Sequence, residues 1–468
     1  MSIDHHSERQ TLDTLALDMP GEQMRRLTIG WLSLALGSLV VGGLLTVVIV
    51  LSRTPYVQDI FPWVDLFYTA LVVHVDLTVL VWFLGMAGVI WSINSQSSCL
   101  RCGWMALLLC AAGSIIISLS PFLGSSSPLM INYIPILNDP LFFTGLIVFG
   151  CGFLLLVLRG LFFSRPISRR VTGTGAMRFG LYSALISAVT AMGALLASWI
   201  GIPESIRGEY YYELLFWGGG HTLQFVHIQL MLVCWLWLAT ESGIASRLTP
   251  RTVLLLFAFG LIPVLMTPAA YFMYEVASAE HQVAMTWLMQ FGGGLAALPI
   301  SLVVLFNLLN SLRGPANPSP QRSALFSSMI LFGVGGIIGF MIEGSNVTVP
   351  AHYHGSIVAV TLAYMGVTYH ILPLLGFRRP LGRLVVLQPW IYASGQLMHV
   401  IGLAWSGGYG VQRKTAGGAQ GLEGIEQIAG MGLMGLGGLV AVVGGILFLV
   451  IVFKAMWPEK PGNTGQAQ

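Results

Sequence analysis

Long apolar runs recur along the chain and alternate with short polar segments. Twelve of them are about 20 residues long, which is the length that crosses the hydrocarbon core of a bilayer as an α-helix. These runs cover residues 28 to 52, 64 to 92, 103 to 120, 140 to 162, 175 to 202, 213 to 240, 251 to 275, 282 to 311, 322 to 342, 350 to 375, 384 to 406 and 427 to 454. Because a segment in lipid must satisfy its own backbone hydrogen bonds, such runs indicate helices. We therefore predict an all-α polytopic membrane protein with twelve transmembrane helices.

The two ends of the chain are polar and delimit this membrane domain. Residues 1–27 carry acidic residues and lack the basic, small-residue pattern of a cleaved signal peptide. We expect them to remain as a polar cytoplasmic segment. One membrane domain then covers residues 28–454, and residues 455–468 form a short cytoplasmic tail.

Basic residues are distributed unevenly between the predicted loops. The side that is rich in them contains Arg25, Arg26, Arg101, Arg159, Arg165, Arg169, Arg170, Arg178, Arg247, Arg251, Arg313, Arg322, Arg378, Arg379, Arg383 and Lys454. By the positive-inside rule this side is the cytoplasm. We therefore expect both termini on the cytoplasmic side of a bacterial-type cytoplasmic membrane. The net charge of +3 reflects this topology, so it implies no nucleic-acid partner.

The composition is that of a protein surrounded by lipid. Hydrophobic residues make up 55% of the chain and charged residues only 9%, with a mean hydropathy of +0.79. Too few polar side chains remain to cover a water-exposed surface. A soluble domain is therefore excluded, and membrane lipid is the expected surrounding.

Seven histidines lie inside the predicted spans, where an imidazole without a partner is costly. We expect His370 and His399 to be interfacial or packing histidines, and the other five are candidate ligands. His74 is on the second span, His221 and His227 are on the sixth, and His352 and His354 are at the start of the tenth. Four of the five are expected at a comparable depth in the outer half of the membrane. Because residues two apart on a helix point about 200° away from each other, the last two cannot easily hold one metal together. We predict one haem between His74 and His354 and a second haem on His352.

These residues resemble the haem-copper oxidase superfamily, catalytic subunit I, which includes cytochrome c oxidases and nitric oxide reductases. The run Val349-Pro-Ala-His-Tyr-His is similar to the H-x-H signature of the family's tenth helix. The resemblance covers nearly the whole chain and implies two haems, which we expect to be of b type. It implies that His352 is the axial ligand of the high-spin haem and that His354 and His74 bind the low-spin haem.

A second motif resembles the sixth helix of the same family. In the run Phe216-Trp-Gly-Gly-Gly-His-Thr-Leu-Gln-Phe a tryptophan precedes a histidine, as it does at the family's copper site. The resemblance implies that His221 faces the reactive haem and binds a second metal, copper or iron.

The chain departs from the family in the rest of the second metal site. The family places two adjacent histidines on helix seven, and the corresponding stretch from Met266 to Glu275 contains none. A copper ion held by one histidine would be weakly bound, because nitrogen-rich sites need about three or four ligands. Glu213, Glu275 and His227 are candidates to assist His221.

The active-site tyrosine of the family is also missing from its usual position in the sequence. Oxidases of the family carry a tyrosine four residues beyond the first copper ligand, and Phe225 occupies that place here. Tyr271 or Tyr274 could replace it from the seventh span.

Acidic residues cluster at the outer ends of the fifth to ninth spans, whereas the inner half of the membrane has no ladder of ionisable residues. These acids are Glu209, Glu213, Glu275, Glu280 and Glu343. An acid at membrane depth is a candidate for function. Proton entry from the outside resembles nitric oxide reductases more than oxidases.

Arg413 and Lys414 form a basic pair in the loop between the eleventh and twelfth spans, on the side that otherwise has few basic residues. Such a pair suits the carboxylates of haem propionates. The resemblance implies the same role.

Together these features predict the catalytic subunit of a respiratory terminal oxidoreductase that reduces a diatomic molecule, with nitric oxide slightly favoured over dioxygen. The sequence has no C-x-x-C-H haem-attachment motif. We therefore expect a partner subunit, a c-type cytochrome or a cupredoxin, to deliver electrons. Two alternatives remain open, namely a di-haem electron-transfer subunit without its own catalysis and an ion-coupled transporter without haem.

Overall fold

The protein was analysed as a computed structural model that describes residues 14–58, 60, 64–123, 127–167, 169–244, 248–313 and 318–458. Over these residues the chain is a bundle of long helices with one short β-hairpin. Much of the predicted N-terminal segment (1–13) and of the predicted tail (459–468) lies outside the described residues.

The helices follow the predicted apolar runs, with ends that differ by a few residues. In chain order they are α1 (Glu22–Leu51), α2 (Val64–Val75), α3 (Trp82–Ile93), α4 (Leu100–Leu123), α5 (Pro140–Phe163), α6 (Gly173–Gly201), α7 (Gly208–Glu241), α8 (Pro250–Met273), α9 (Ala279–Gly292), α10 (Gly294–Ser311), α11 (Pro320–Phe340), α12 (Thr348–Leu374), α13 (Arg383–Gly408) and α14 (Ile425–Met456). A π-helical segment, Asp76–Val81, joins α2 to α3 without a break.

The structure contains eleven helical segments that are long and apolar enough to cross a membrane, counted over the described residues. This finding supports the prediction of a polytopic α-helical membrane protein. The predicted eleventh span is helix α13, which is not among these segments and carries the polar side chains of Gln388, Gln396 and His399. Helix α13 packs along α14 and also contacts α12. The count of twelve spans therefore stays a prediction.

The helices that carry the predicted ligands of the haems and of the second metal are the most enclosed ones. Buried residues make up 89% of the apolar window of α7, 78% of that of α12 and 67% of that of the segment Leu66–Ile93. The remaining candidate spans reach 50% or less. The histidines are therefore held in the interior of the bundle, where each imidazole must find a partner.

One short hairpin interrupts the all-α pattern. Strands β1 (Pro128–Leu129) and β2 (Ile136–Leu137) pair antiparallel between α4 and α5. Apolar periodicity did not predict this hairpin, because each strand has only two residues. The expectation of a purely helical fold is therefore corrected at this point.

Candidate functional site

His74 and His354, the predicted pair on α2 and α12, are held in similar ways. The Nδ1 of His74 donates to the carbonyl oxygen of Gly42 at 3.0 Å and lies 3.1 Å from Oγ1 of Thr46. The Nδ1 of His354 donates to the carbonyl oxygen of Pro350 at 2.8 Å. Because a carbonyl only accepts, both Nδ1 atoms carry the proton and both Nε2 atoms keep a lone pair. The two imidazoles are also close enough to interact electrostatically.

His352 faces a different neighbour from His354, as their spacing predicts. Its Nδ1 donates to the carbonyl oxygen of Gly335 on α11 at 2.7 Å, and the ring lies against Gly339 of the same helix. His354 instead contacts His399 of α13, with ring centroids 4.9 Å apart. The two imidazoles of the H-x-H pair therefore present their free Nε2 atoms in different surroundings.

His221 is buried on α7 between two aromatic rings. Its Nδ1 donates to the carbonyl oxygen of Trp217 at 2.8 Å. The centroids of the Trp217 and Tyr133 rings lie 4.7 Å and 4.8 Å from that of His221, and the two flanking rings contact each other edge to face at 6.0 Å. These contacts fix the plane of the imidazole.

Three glycines directly before His221 let other elements approach α7. A methyl group at Gly218 would overlap the hydroxyl group of Tyr271, and one at Gly220 would overlap the ring of Tyr133. A methyl group at Gly219 would come within 3.2 Å of the carbonyl oxygen of Ala191 on α6. The glycine run in the sixth-span motif is therefore what allows this close packing around the site.

The hairpin tip is fastened to the same face of α7. The carboxylate of Glu213 accepts from the backbone N–H of Asn132 at 2.8 Å and from its side-chain amide. Burial, together with the nearby Glu213 charge, raises the pKa of Tyr133 well above its usual range, so its phenol stays neutral. The predicted acid Glu213 thus lies close to the site and holds a loop in place.

The other candidates from the sequence are divided between the site and its surroundings. The hydroxyl group of Tyr271 lies 2.8 Å from that of Ser198, and its ring contacts His281 at 4.6 Å. Glu275 is exposed beyond the end of α8. His227 packs against Phe83 at 4.8 Å, on another side of α7 from the hairpin tip.

Cationic side chains gather beside His354. Arg53 is buried, and its Nε and Nη2 have no hydrogen-bond partner in the part of the chain that the structure describes. Burial lowers the pKa of Arg53 to about 10. Arg53 and Arg413 both interact electrostatically with Tyr353, whose ring stacks on His354 at 5.0 Å. Arg413 also donates to the Ser345 hydroxyl at 3.1 Å.

Lys414 is half-buried in the loop before α14. Its ammonium donates to the carbonyl oxygen of Met130, at the base of the hairpin tip. Burial, and then the neighbouring Arg413, lower the pKa of Lys414 to about 8, although Glu213 and Glu209 act in the opposite direction. The basic pair thus contacts both the hairpin and the surroundings of His354.

The residues fit haem better than they fit a three-histidine copper ion. His74, His352 and His354 have a fixed Nδ1 and a free Nε2, which is how second-shell hydrogen bonds orient metal-ligating histidines. A buried guanidinium without a partner is costly unless an anion is bound beside it. By contrast, no group of three or more His, Cys, Asp or Glu side chains is placed to hold a metal ion in the described ranges.

Sequence reasoning missed several members of this cluster. Tyr133 and Asn132 come from a loop, Arg53 follows the first apolar run and His399 lies in the eleventh, and no motif marks any of them. Asp76 is fully buried in the π-helical segment, with no partner for either oxygen among the described side chains. In the sequence, an arginine or an acid next to an apolar run is the one sign that residues such as Arg53 and Asp76 belong to a site. Many such residues have no such role, so the sign is weak.

Comparisons with known proteins concern the chain as a whole. The family model for cytochrome c and quinol oxidase polypeptide I matches residues 26–447. An uncharacterized protein of Rickettsia prowazekii is 27% identical over 91% of this chain and 95% of its own length. An uncharacterized protein of Aquifex aeolicus is 29% identical over 75% of this chain and 86% of its own length.

A solved structure of a heme-copper terminal oxidase dimer has a similar fold. Its TM-score is 0.70 at 16% identity, covering 95% of this chain and 86% of that chain. At this identity the match concerns the fold alone. Because the family model covers most of the chain and the helical bundle agrees with it, the predicted resemblance is confirmed, and the chain belongs to the cytochrome c and quinol oxidase polypeptide I family of the haem-copper oxidases.

Proposed function

We propose that this protein is the catalytic subunit of a membrane respiratory terminal oxidoreductase. In this proposal His74 and His354 bind a low-spin haem, His352 binds a high-spin haem, and a diatomic molecule is reduced in the pocket that His221 faces. When bound, the two haems would supply electron transfer and a site for the diatomic molecule.

The observation that carries the proposal is the shared state of the predicted ligands. Three imidazoles on two of the three most buried spans each donate through Nδ1 to a backbone carbonyl, which leaves Nε2 available. This is the state in which a histidine can bind a metal, with the other ring nitrogen held by a hydrogen bond. Arg53 and Arg413 add positive charge beside the low-spin position, and Lys414 lies next to Arg413, so propionate carboxylates would find cations there.

The second metal is the weakest part of the family pattern in this chain. Ala269 and Ala270 stand in the stretch where the family has histidines. His221 is the one predicted ligand oriented like a metal-binding histidine on α7, and the described residues around it supply no second nitrogen ligand in a recognisable set. We therefore assign His221 to the pocket and derive no step through a copper ion.

The substrate preference is part of the proposal. Nitric oxide is slightly favoured over dioxygen, because the oxidase tyrosine is replaced by Phe225 and acids lie at the outer ends of the spans. Electrons would come from a partner subunit, a c-type cytochrome or a cupredoxin.

Haem analysis and gas consumption of the purified protein in detergent test the proposal. We expect about two haems per chain by pyridine haemochrome, carbon monoxide binding to one of them, and consumption of nitric oxide or dioxygen with an artificial electron donor. A preparation without haem would contradict the proposal and favour the transporter alternative.

A second candidate is a di-haem electron-transfer subunit without its own catalysis. The alanines in place of the helix-seven histidines favour it. Two bound haems with neither gas consumed, and no carbon monoxide bound, would support this candidate over the first.

A further inference from the structure

The tip of the β-hairpin follows one face of α7 into the site. Glu213, Trp217 and His221 are spaced by four residues, so they lie along a single face of the helix. Asn132 contacts the first of these residues through two hydrogen bonds. Tyr133 contacts the other two through its ring.

The tip is fixed from several sides. Tyr133 has a positive φ of 65°, a conformation that non-glycine residues adopt only when their surroundings hold them there. Its ring lies directly on the backbone at Gly220, where a methyl group would not fit. On the other side, Lys414 donates to the carbonyl oxygen of Met130. The conformation of the tip is thus determined by contacts with α7 and with the loop before α14.

We propose that the hairpin tip is part of the active site, where Tyr133 orients His221, and Glu213 positions Tyr133 through Asn132. The inference rests on the proposed function, because the site beside His221 is where a diatomic molecule would be reduced. It places an aromatic residue with a phenol at the site from a loop, although Phe225 stands where the family has its tyrosine.

Tyr133 can orient His221 because its ring restricts rotation of the imidazole. Two aromatic rings flank His221 and one hydrogen bond holds its Nδ1. Removal of one ring would leave a void beside the imidazole, which could then rotate or admit a larger ligand. Glu213 is a positioning residue, since its carboxylate contacts Asn132 and acts on the His221 imidazole through Tyr133.

Ligand binding to the reduced holoprotein tests this inference without turnover. The probes are carbon monoxide, observed by infrared spectroscopy, and methyl and n-butyl isocyanide, titrated by visible absorption. Tyr133→Ala is compared with Tyr133→Phe, which keeps the ring. Tyr409→Ala is the matched control, because Tyr409 lies in the exposed loop after α13. Haem content of each variant reports whether it folds.

We expect Tyr133→Ala to broaden the carbon monoxide stretching band and to raise the affinity for n-butyl relative to methyl isocyanide by about tenfold. Tyr133→Phe and Tyr409→Ala should resemble the wild type. An unchanged band and isocyanide ratio in Tyr133→Ala, with haem content retained, would overturn the inference while the proposed function stands. Absence of a carbon monoxide complex in the wild type would overturn both.

The positioning role of Glu213 is tested by exchanging the amide of Asn132 and the carboxylate of Glu213. Asn132→Asp places two carboxylates together and should reproduce the broadened band of Tyr133→Ala. Adding Glu213→Gln restores an amide opposite a carboxylate and should narrow the band again. Two results would contradict the positioning role of Glu213. One is a double variant whose band is as broad as that of Asn132→Asp alone, and the other is an Asn132→Asp variant whose band is as narrow as that of the wild type.

Discussion

The histidines of the bundle fall into two groups according to their Nδ1 hydrogen bond. Those of the site, together with His399, donate to a backbone carbonyl, namely at Gly42, Trp217, Gly335, Pro350 and Met434. The Nδ1 atoms of His227 and His281 have no such partner among the described residues, and that of His370 faces Glu241 at 3.6 Å. Every predicted ligand therefore has this hydrogen bond, and among the other histidines of the described residues His399 has it too.

This distinction predicts the effect of removing one ligand. His354→Ala should lower the haem content from about two to about one per chain, because a low-spin haem needs both axial imidazoles. Pyridine haemochrome analysis and the low-spin signal in electron paramagnetic resonance measure the loss. His370→Ala, at the opposite end of the same helix, serves as the control and should keep both haems. Retention of the low-spin signal in His354→Ala would contradict the assignment.

The lowered pKa of Lys414 predicts a pH dependence of haem retention. Its amine is charged below about pH 8 and loses its proton as the pH rises through that value. A bound propionate would favour the charged form, so haem binding would be coupled to protonation of Lys414 and would weaken above about pH 8. Transfer of haem to excess apomyoglobin, compared at about pH 7 and about pH 9.5, measures this effect.

Lys414→Arg provides the comparison, because a guanidinium stays charged over this range. We expect the variant to retain haem equally well at both pH values. A wild-type protein whose haem retention does not change with pH would rule out an ionic role for Lys414.

Helices in this bundle approach each other closely where small residues face a neighbour, as is common in lipid. Added methyl groups at Gly395 and Gly402 of α13 would overlap the backbone of α14, at Ala441 and Met434 respectively. The same neighbour, Met434, accepts the Nδ1 hydrogen bond of His399. The packing of two helices therefore sets the position of an imidazole beside His354.

Gly402→Ala should accordingly destabilise the protein by about 1–3 kcal/mol, because the backbone of α14 cannot move aside as a flexible side chain could. Gly408→Ala is the matched control, since a methyl group there meets no other atom within 4 Å. Thermal unfolding of the two variants in the same detergent gives the comparison. Equal melting temperatures would show that the contact between α13 and α14 contributes little.

At the scale of the whole molecule, an even or odd number of membrane spans decides whether the two termini lie on the same side of the membrane. Eleven segments qualify by length and apolarity, and α13 is the helix in question. Its buried Gln388 accepts from the Tyr369 hydroxyl at 2.9 Å and donates to the carbonyl oxygen of Gly444 at 3.0 Å. These bonds satisfy a polar side chain within the bundle, so a helix of low hydropathy can still lie in the membrane.

We therefore predict twelve crossings and cytoplasmic positions for both termini. A green fluorescent protein fused after residue 458 should fluoresce, and alkaline phosphatase fused there should be inactive. Fusions in the loop that contains Arg101, which is expected inside, calibrate both reporters. An active phosphatase at the C-terminal fusion would show that α13 does not cross the membrane.

Much of the architecture was readable from the chain alone. Apolar runs located nearly every helix, because lipid forces each segment to satisfy its own backbone. The H-x-H pair, the tryptophan-preceded histidine and His74 supplied ligand candidates on three helices, since charged and polar residues are rare at these depths. The family comparison confirmed the resemblance that these motifs suggested.

The amino-acid order by itself determined the apolar helices, and it predicts which side faces the cytoplasm and which imidazoles bind haem. The tertiary structure alone brought Tyr133 to His221, Arg53 towards His354 and Glu213 to the hairpin. These contacts join segments far apart in the chain, and neither hydrophobic periodicity nor residue spacing encodes them. They depend on how closely helices and loops pack, which glycines such as Gly220 permit.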